Sequence, residues 1–161
     1  MDEFVLARVL HVLGVVLWIG GVAMVTTVLL PAVAKMKLAE ERVEFFEHIE
    51  SCFATQARYT TLLVGLSGFY MVHILDGWSR FVEPHFWWMH AMVFVWGIFT
   101  LMLFVLEAWV LHKWFKTRAL NKPEQTFGLI QRLHWFLLSI SLVTVAGAVA
   151  GSHGWVLFGE G

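Results

Sequence analysis

Four long apolar stretches separated by polar connections set the pattern of this chain. They run from about Phe4 to Leu30, Ala54 to Leu75, Phe86 to Leu111 and Phe127 to Ala150. Each meets the roughly 20 residues that a helix needs to cross the hydrocarbon of a bilayer. The first stretch has only a superficial likeness to a signal peptide. It is too long, it begins Asp2-Glu3 in place of a basic segment, and no small-residue cleavage site follows, so it is expected to remain as a helix.

The connections differ in kind. "KLAEERVEFFEHIESCFATQARY", Lys37–Tyr59, contains no glycine or proline, and Val43, Phe46 and Ile49 keep a three-to-four spacing. The second helix is therefore expected to begin well before the membrane. "DGWSRFVEPH", Asp76–His85, has turn residues at Asp76-Gly77 and a helix start at Pro84, and the "NKP" at Asn121–Pro123 marks a break. Neither an internal repeat nor a low-complexity segment is seen.

Charge orients the pattern. Lys35, Lys37, Arg42, Arg58, Lys113, Lys116, Arg118, Lys122 and Arg132 fall on or beside the first and third connections, and only Arg8 and Arg80 fall on the other side. The positive-inside rule then puts both connections in the cytoplasm and both termini outside. The expected fold is all-α: one integral membrane domain over residues 1–161, an up-down four-helix bundle with helix two extended into the cytoplasm. The expected location is the inner (cytoplasmic) membrane.

Composition narrows the function classes. The 161 residues are 59% hydrophobic and 14% charged, with mean hydropathy +0.73, outside the soluble range. A net charge of −1 offers nothing to nucleic acid. The single cysteine, Cys52, excludes a disulfide framework, a cysteine-ligated iron–sulfur cluster and covalent c-type haem attachment. Nine tryptophans suit membrane interfaces, and Trp78, Trp87, Trp88 and Trp155 read as an outer aromatic belt. Eight histidines need another account.

Histidine inside a span is costly unless something there uses it. Counting inward from the outer face, His11 on helix one lies roughly 10 Å deep and His90 on helix three roughly 6–9 Å deep, so the two share a level. His73 lies slightly shallower. His85 and His153 belong to the outer rim, whereas His48, His112 and His134 lie toward the cytoplasm. His11, His90 and His73 are what an iron porphyrin held between helices needs, since haem b takes axial nitrogens from side chains projecting into a bundle. Trp18 is seven residues from His11 and Gly97 seven from His90; with Gly14, they suit a flat macrocycle. The bland alternative is that these histidines only hydrogen-bond neighbouring helices. "GAVAG", Gly147–Gly151, reads as helix packing.

A second site is expected toward the cytoplasm. Glu107, Arg132 and His134 approach one depth on helices three and four and could relay protons or hold a quinone, or form a structural ion pair.

The motifs resemble a family. "LHVLGVVLWIGG", Leu10–Gly21, and "WMHAMV", Trp88–Val93, resemble the first- and third-helix signatures of the CopD/HemJ superfamily, and "TLLVGLSGFYM", Thr61–Met71, is similar to its second helix. That group includes haem b-binding protoporphyrinogen IX oxidases and CopD-type proteins associated with copper uptake. The resemblance implies haem ligation at His11 and His90. The chain departs from the oxidases at Met92, where they carry lysine, and at Ala32 after Leu30-Pro31, where they carry arginine.

Three functions follow as expectations. The first is a haem b membrane redox protein passing electrons between an outer-face partner and a quinone-like partner. The second is a protoporphyrinogen oxidase, which the missing basic residues disfavour. The third is a copper transport or copper-binding protein, for which Met24, Met71, Met89, Met92 and Met102 are available but form no paired Met-x-x-Met pattern. Partners are membrane lipid, a redox protein or quinone, and a second copy of the chain as an open option.

Overall fold

The structure is a computed structural model that describes residues 2–155, the side chains of 108–113 excepted. Helices make up nearly all of it, and no strand occurs among the described residues. Helix α1 (Asp2–Met24) starts with Asp2 and Glu3 in its first turn, where carboxylates oppose the positive end of the helix dipole. A π-helical turn, Val25–Leu29, joins it to α2 (Leu30–Ala34). The widened turn lies just before Pro31, which has no amide to donate to the preceding turn. The carbonyl of Thr26 within it accepts a 2.9 Å bond from Gln131 Nε2.

Helix α3 (Ala39–Ile74) is one unbroken rod of 36 residues, which at about 1.5 Å per residue exceeds the hydrocarbon thickness. The early start expected from the Val43, Phe46 and Ile49 spacing is therefore present. Asp76, with φ 49°, turns the chain into two short 3₁₀ segments, Gly77–Val82 and Pro84–Phe86. Helix α4 (Trp87–Leu101) runs through a ten-residue π stretch, Met102–Leu111, into α5 (His112–Asn121). The break expected at Asn121–Pro123 separates it from α6 (Pro123–Ser152), which opens on its proline.

Three of these helical runs are long and apolar enough to cross a membrane: Asp2–Ala34, Pro84–Glu107 and Pro123–Ser152. The expected fourth span, Ala54–Leu75, is not among them. Arg58, Thr60, Thr61 and Ser67 lower its hydropathy, and they can sit there because α3 packs along α1 and also meets α4 and α5. Long apolar side chains of α1, among them Leu6, Val12, Leu13, Val16 and Leu17, stay more than half exposed. A helix that bares so much apolar surface is suited to lipid, not water.

Two cores lie along the helices. The middle one joins Trp18, Val22, Ala57, Val64, Val95, Phe99, Leu103 and Leu137. The other joins Val25, Leu29, Val33, Val43 and Ala119 around the mutually packed rings of Phe46, Phe115 and Phe127. Buried Arg42 fastens this end, donating to the carbonyls of Ala34 and Met36 and pairing with Glu124 at the start of α6.

The tryptophans correct one expectation. Trp78 and Trp155 are exposed and suit an aromatic belt, but the Trp87 and Trp88 rings lie where side chains at Gly147 and Gly151 would stand. Trp88 is buried. Glycine at those two α6 positions lets α4 seat bulky rings in notches. Gly147→Leu or Gly151→Leu should lower stability by about 1–3 kcal/mol through overpacking, whereas Gly97→Leu, at an open position, should not. Thermal unfolding of the three variants in detergent measures the difference.

Candidate metal centre and carboxylate cluster

His11 is positioned by α3. Gly68 has no side chain, and a Cβ there would stand only 3.1 Å from His11 Cε1, so the imidazole lies directly on the α3 backbone. Its Nδ1 is 3.0 Å from the carbonyl oxygen of Val64 and 3.2 Å from Ser67 Oγ. A carbonyl can only accept, so Nδ1 carries the proton and donates, which leaves Nε2 with its lone pair. Ligating histidines are commonly held in this way, one nitrogen fixed by a carbonyl and the other free for the metal.

His90 has the mirror arrangement. Its Nε2 donates to the carbonyl of Phe81 at 2.8 Å, and its ring meets the edge of Phe81 at 5.6 Å. Nδ1 is then the nitrogen with a lone pair. His90 is exposed, and no ring contact joins it to His11. Each histidine is thus a competent ligand on its own element, α1 in one case and the start of α4 in the other.

The expected third member does not join them. His73 is exposed in the last turn of α3, and no three His, Cys, Asp or Glu side chains come together as a metal site among the described residues. The expected macrocycle slot is also not framed by the three residues assigned to it. A Cβ on Gly14 would stand 2.8 Å from the Val64 side chain, so this glycine serves the contact of α1 with α3. Trp18 is buried edge-on against Phe99 of α4 at 4.9 Å, so its ring packs on a core side chain. Gly97 faces open space. His11 and His90 thus each keep one nitrogen available for coordination, while Gly14, Trp18 and Gly97 do not frame the slot assigned to them. Two open grooves, about 490 and 350 Å³, are lined by Trp114, Arg118 and Lys122 and by Glu41, Phe45 and His48, and neither reaches His11 or His90.

Toward the other end, Glu107 pairs with Arg58 instead of Arg132. The Arg58 Nη2–Glu107 Oε1 distance is 2.9 Å, and Arg58 Nε also donates to the carbonyl of Leu103 at 3.3 Å. Arg132 is exposed, and His134 Nδ1 donates to the carbonyl of Ile130 in its own helix at 3.0 Å. The side chain of His112 lies outside the described residues. Arg58 could have been read as the partner from sequence, being the only arginine inside the second apolar stretch and so in need of a carboxylate. Glu47 and Glu50 share the same region, Glu47 reaching Lys116 Nζ at 3.7 Å.

Comparison with known proteins gives no relatives: no family model matches the chain, and neither does any curated protein or solved structure.

The carboxylate cluster has a pH signature. Glu50, on the part of α3 before the apolar stretch, is pushed up to about 7 from its ordinary 4.5 by burial. The Glu107 charge pushes the same way, Arg58 opposes it, and Glu47 adds a smaller push upward. A carboxyl raised in the folded chain binds its proton more firmly there than in the unfolded chain. Its stabilising contribution is full below 4.5 and is lost as pH climbs through about 7. Glu50→Gln, which keeps the uncharged form, should unfold at a higher temperature than the wild type at pH 8 and near the same temperature at pH 5. An equal shift at both pH values would mean that Glu50 does not titrate in this range.

Proposed function

We propose that the chain is a haem b-binding membrane redox protein, with His11 and His90 as the ligand candidates and a bilayer-soluble carrier such as a quinone as one of its partners. The observation that carries this reading is the state of the two imidazoles. Each has one nitrogen committed to a backbone carbonyl and the other left with its lone pair. Any neutral imidazole keeps one such nitrogen, as His134 does within its own helix, so the reading also rests on the matching positions of His11 and His90 on apolar helices. Bound haem would supply one-electron exchange at its iron. The chain's own residues orient the rings: Val64 and Ser67 hold His11, and Phe81 holds His90.

Protein purified from membranes in detergent should be red, with a Soret band that sharpens on dithionite reduction. His11→Ala and His90→Ala should each abolish or shift that band, while His85→Ala should leave it unchanged. A colourless protein that retains copper would instead favour the copper-handling reading. Porphyrinogen oxidation in membranes lacking other oxidases would favour the oxidase reading.

The proposed arrangement in the membrane is an up-down four-helix bundle in the inner membrane, with both termini outside and the first part of α3 in the cytoplasm. The bias of lysine and arginine toward the first and third connections supports it. Cys52, the chain's one cysteine, is exposed and reports on this directly. A membrane-impermeant maleimide should label it in inside-out vesicles and not in intact cells. Labelling with the opposite preference would invert the proposed topology.

A further inference from the structure

Buried hydroxyls in this chain have a consistent habit. Thr26, Thr60, Ser67, Thr126, Ser141 and Thr144 each donate to a carbonyl three or four residues earlier in their own helix. That bond satisfies the hydroxyl within the helix itself. Thr61 and Thr100 break the habit: both Oγ1 atoms are buried and make no hydrogen bond. The buried indole Nε1 of Trp18 is also without a partner. By contrast, Trp96, an indole on the neighbouring α4, donates to the Thr61 carbonyl at 2.9 Å.

The helix register brings these three orphan groups to one level. Helices α1 and α3 run antiparallel, with Gly14 against Val64 and the Thr60 carbonyl, so Trp18, one turn further along α1, comes level with about Gln56–Thr60, within a turn of Thr61. Helices α3 and α4 are antiparallel as well. Trp96 bonds the Thr61 carbonyl and packs on Gly65, and Arg58 bonds the Leu103 carbonyl, so Thr100 falls opposite Thr61. Trp18 reaches α4 at Phe99, the residue beside Thr100.

We propose that Trp18, Thr61 and Thr100 together hold a buried water molecule in the middle core, tying α1, α3 and α4 to one another. The donor and acceptor inventory selects the guest. An indole N–H can only donate, so the guest accepts at least one bond, while the hydroxyls both donate and accept. Water accepts from Trp18 and donates to the two threonine oxygens, making the three bonds typical of an internal water. The charged groups that reach this core, Arg58 and Glu107, pair with each other, which disfavours an ion. The site is independent of the haem reading, since none of its three atoms belongs to a histidine.

Proton NMR of ¹⁵N-tryptophan-labelled protein in nanodiscs tests this without any substitution. The Trp18 indole proton should show a cross-peak to a long-lived water despite its burial, and the Trp96 indole proton should show none. Thr61→Val and Thr100→Val, close in shape to the native residue, should each weaken or remove the Trp18 cross-peak and shift the Trp18 resonance. A Trp18 indole with no water cross-peak overturns the proposal. So does a cross-peak that neither valine substitution affects.

Discussion

The close approach of α1 to α3 is the contact on which the remaining geometry depends. It exists because side chains are missing where the helices meet. A Cβ on Gly14 would meet Val64, one on Gly21 would meet the ring of Phe53, and one on Gly68 would crowd His11. In a bilayer, where no water drives apolar faces together, van der Waals packing through small residues is a main source of helix association. With α1 seated on α3, His11 reaches the Val64 carbonyl and Ser67, and Trp18 is carried to Phe99. The held histidine, the Trp18–Phe99 contact and the orphan polar groups are three consequences of one seam.

Helix α3 carries most of the polar contacts between helices. Its Arg58 bonds Glu107 and the Leu103 carbonyl, its Thr61 carbonyl takes the Trp96 indole, and its Val64 carbonyl and Ser67 hold His11. A helix so polar is poorly suited to face lipid alone, since each polar group in a low dielectric needs a partner. Packing along α1 and against parts of α4 and α5 supplies those partners. The same reasoning explains why the carboxylates Glu47, Glu50 and Glu107 can gather there. Arg58 and Lys116 offset part of their charge, and Glu50 holds its proton to a higher pH.

The π-helical segments lie where the long rods pass from one core to the other. Val25–Leu29 accommodates Pro31 and offers its Thr26 carbonyl to Gln131 of α6. Met102–Leu111 contains Glu107 at the point where α4 leaves the middle core and continues toward α5. Wider turns free or displace backbone carbonyls, which is why they recur beside polar sites inside apolar helices. Here they let two apolar rods carry polar contacts without ending.

Hydrophobic periodicity and turn residues by themselves determined that the chain is helical and that it breaks at Asp76-Gly77 and at Asn121–Pro123, and three of the four spans they suggested are long and apolar enough for a membrane. These properties are local: backbone conformation and transfer into apolar surroundings depend on neighbouring residues and stretch length. Tertiary structure alone decided the partners. Depth along a helix put His11 and His90 at one level with His73 slightly shallower, but rotation about each helix axis turned His11 onto α3 and His90 toward Phe81 and left His73 exposed. Depth likewise suggested Arg132 for Glu107, whereas the facing helix provided Arg58. Which glycine receives a ring, which carboxylate meets an arginine and which hydroxyl lacks a partner are fixed by helix pairing and rotation. Those depend on side chains far apart in sequence, and no local pattern contains them.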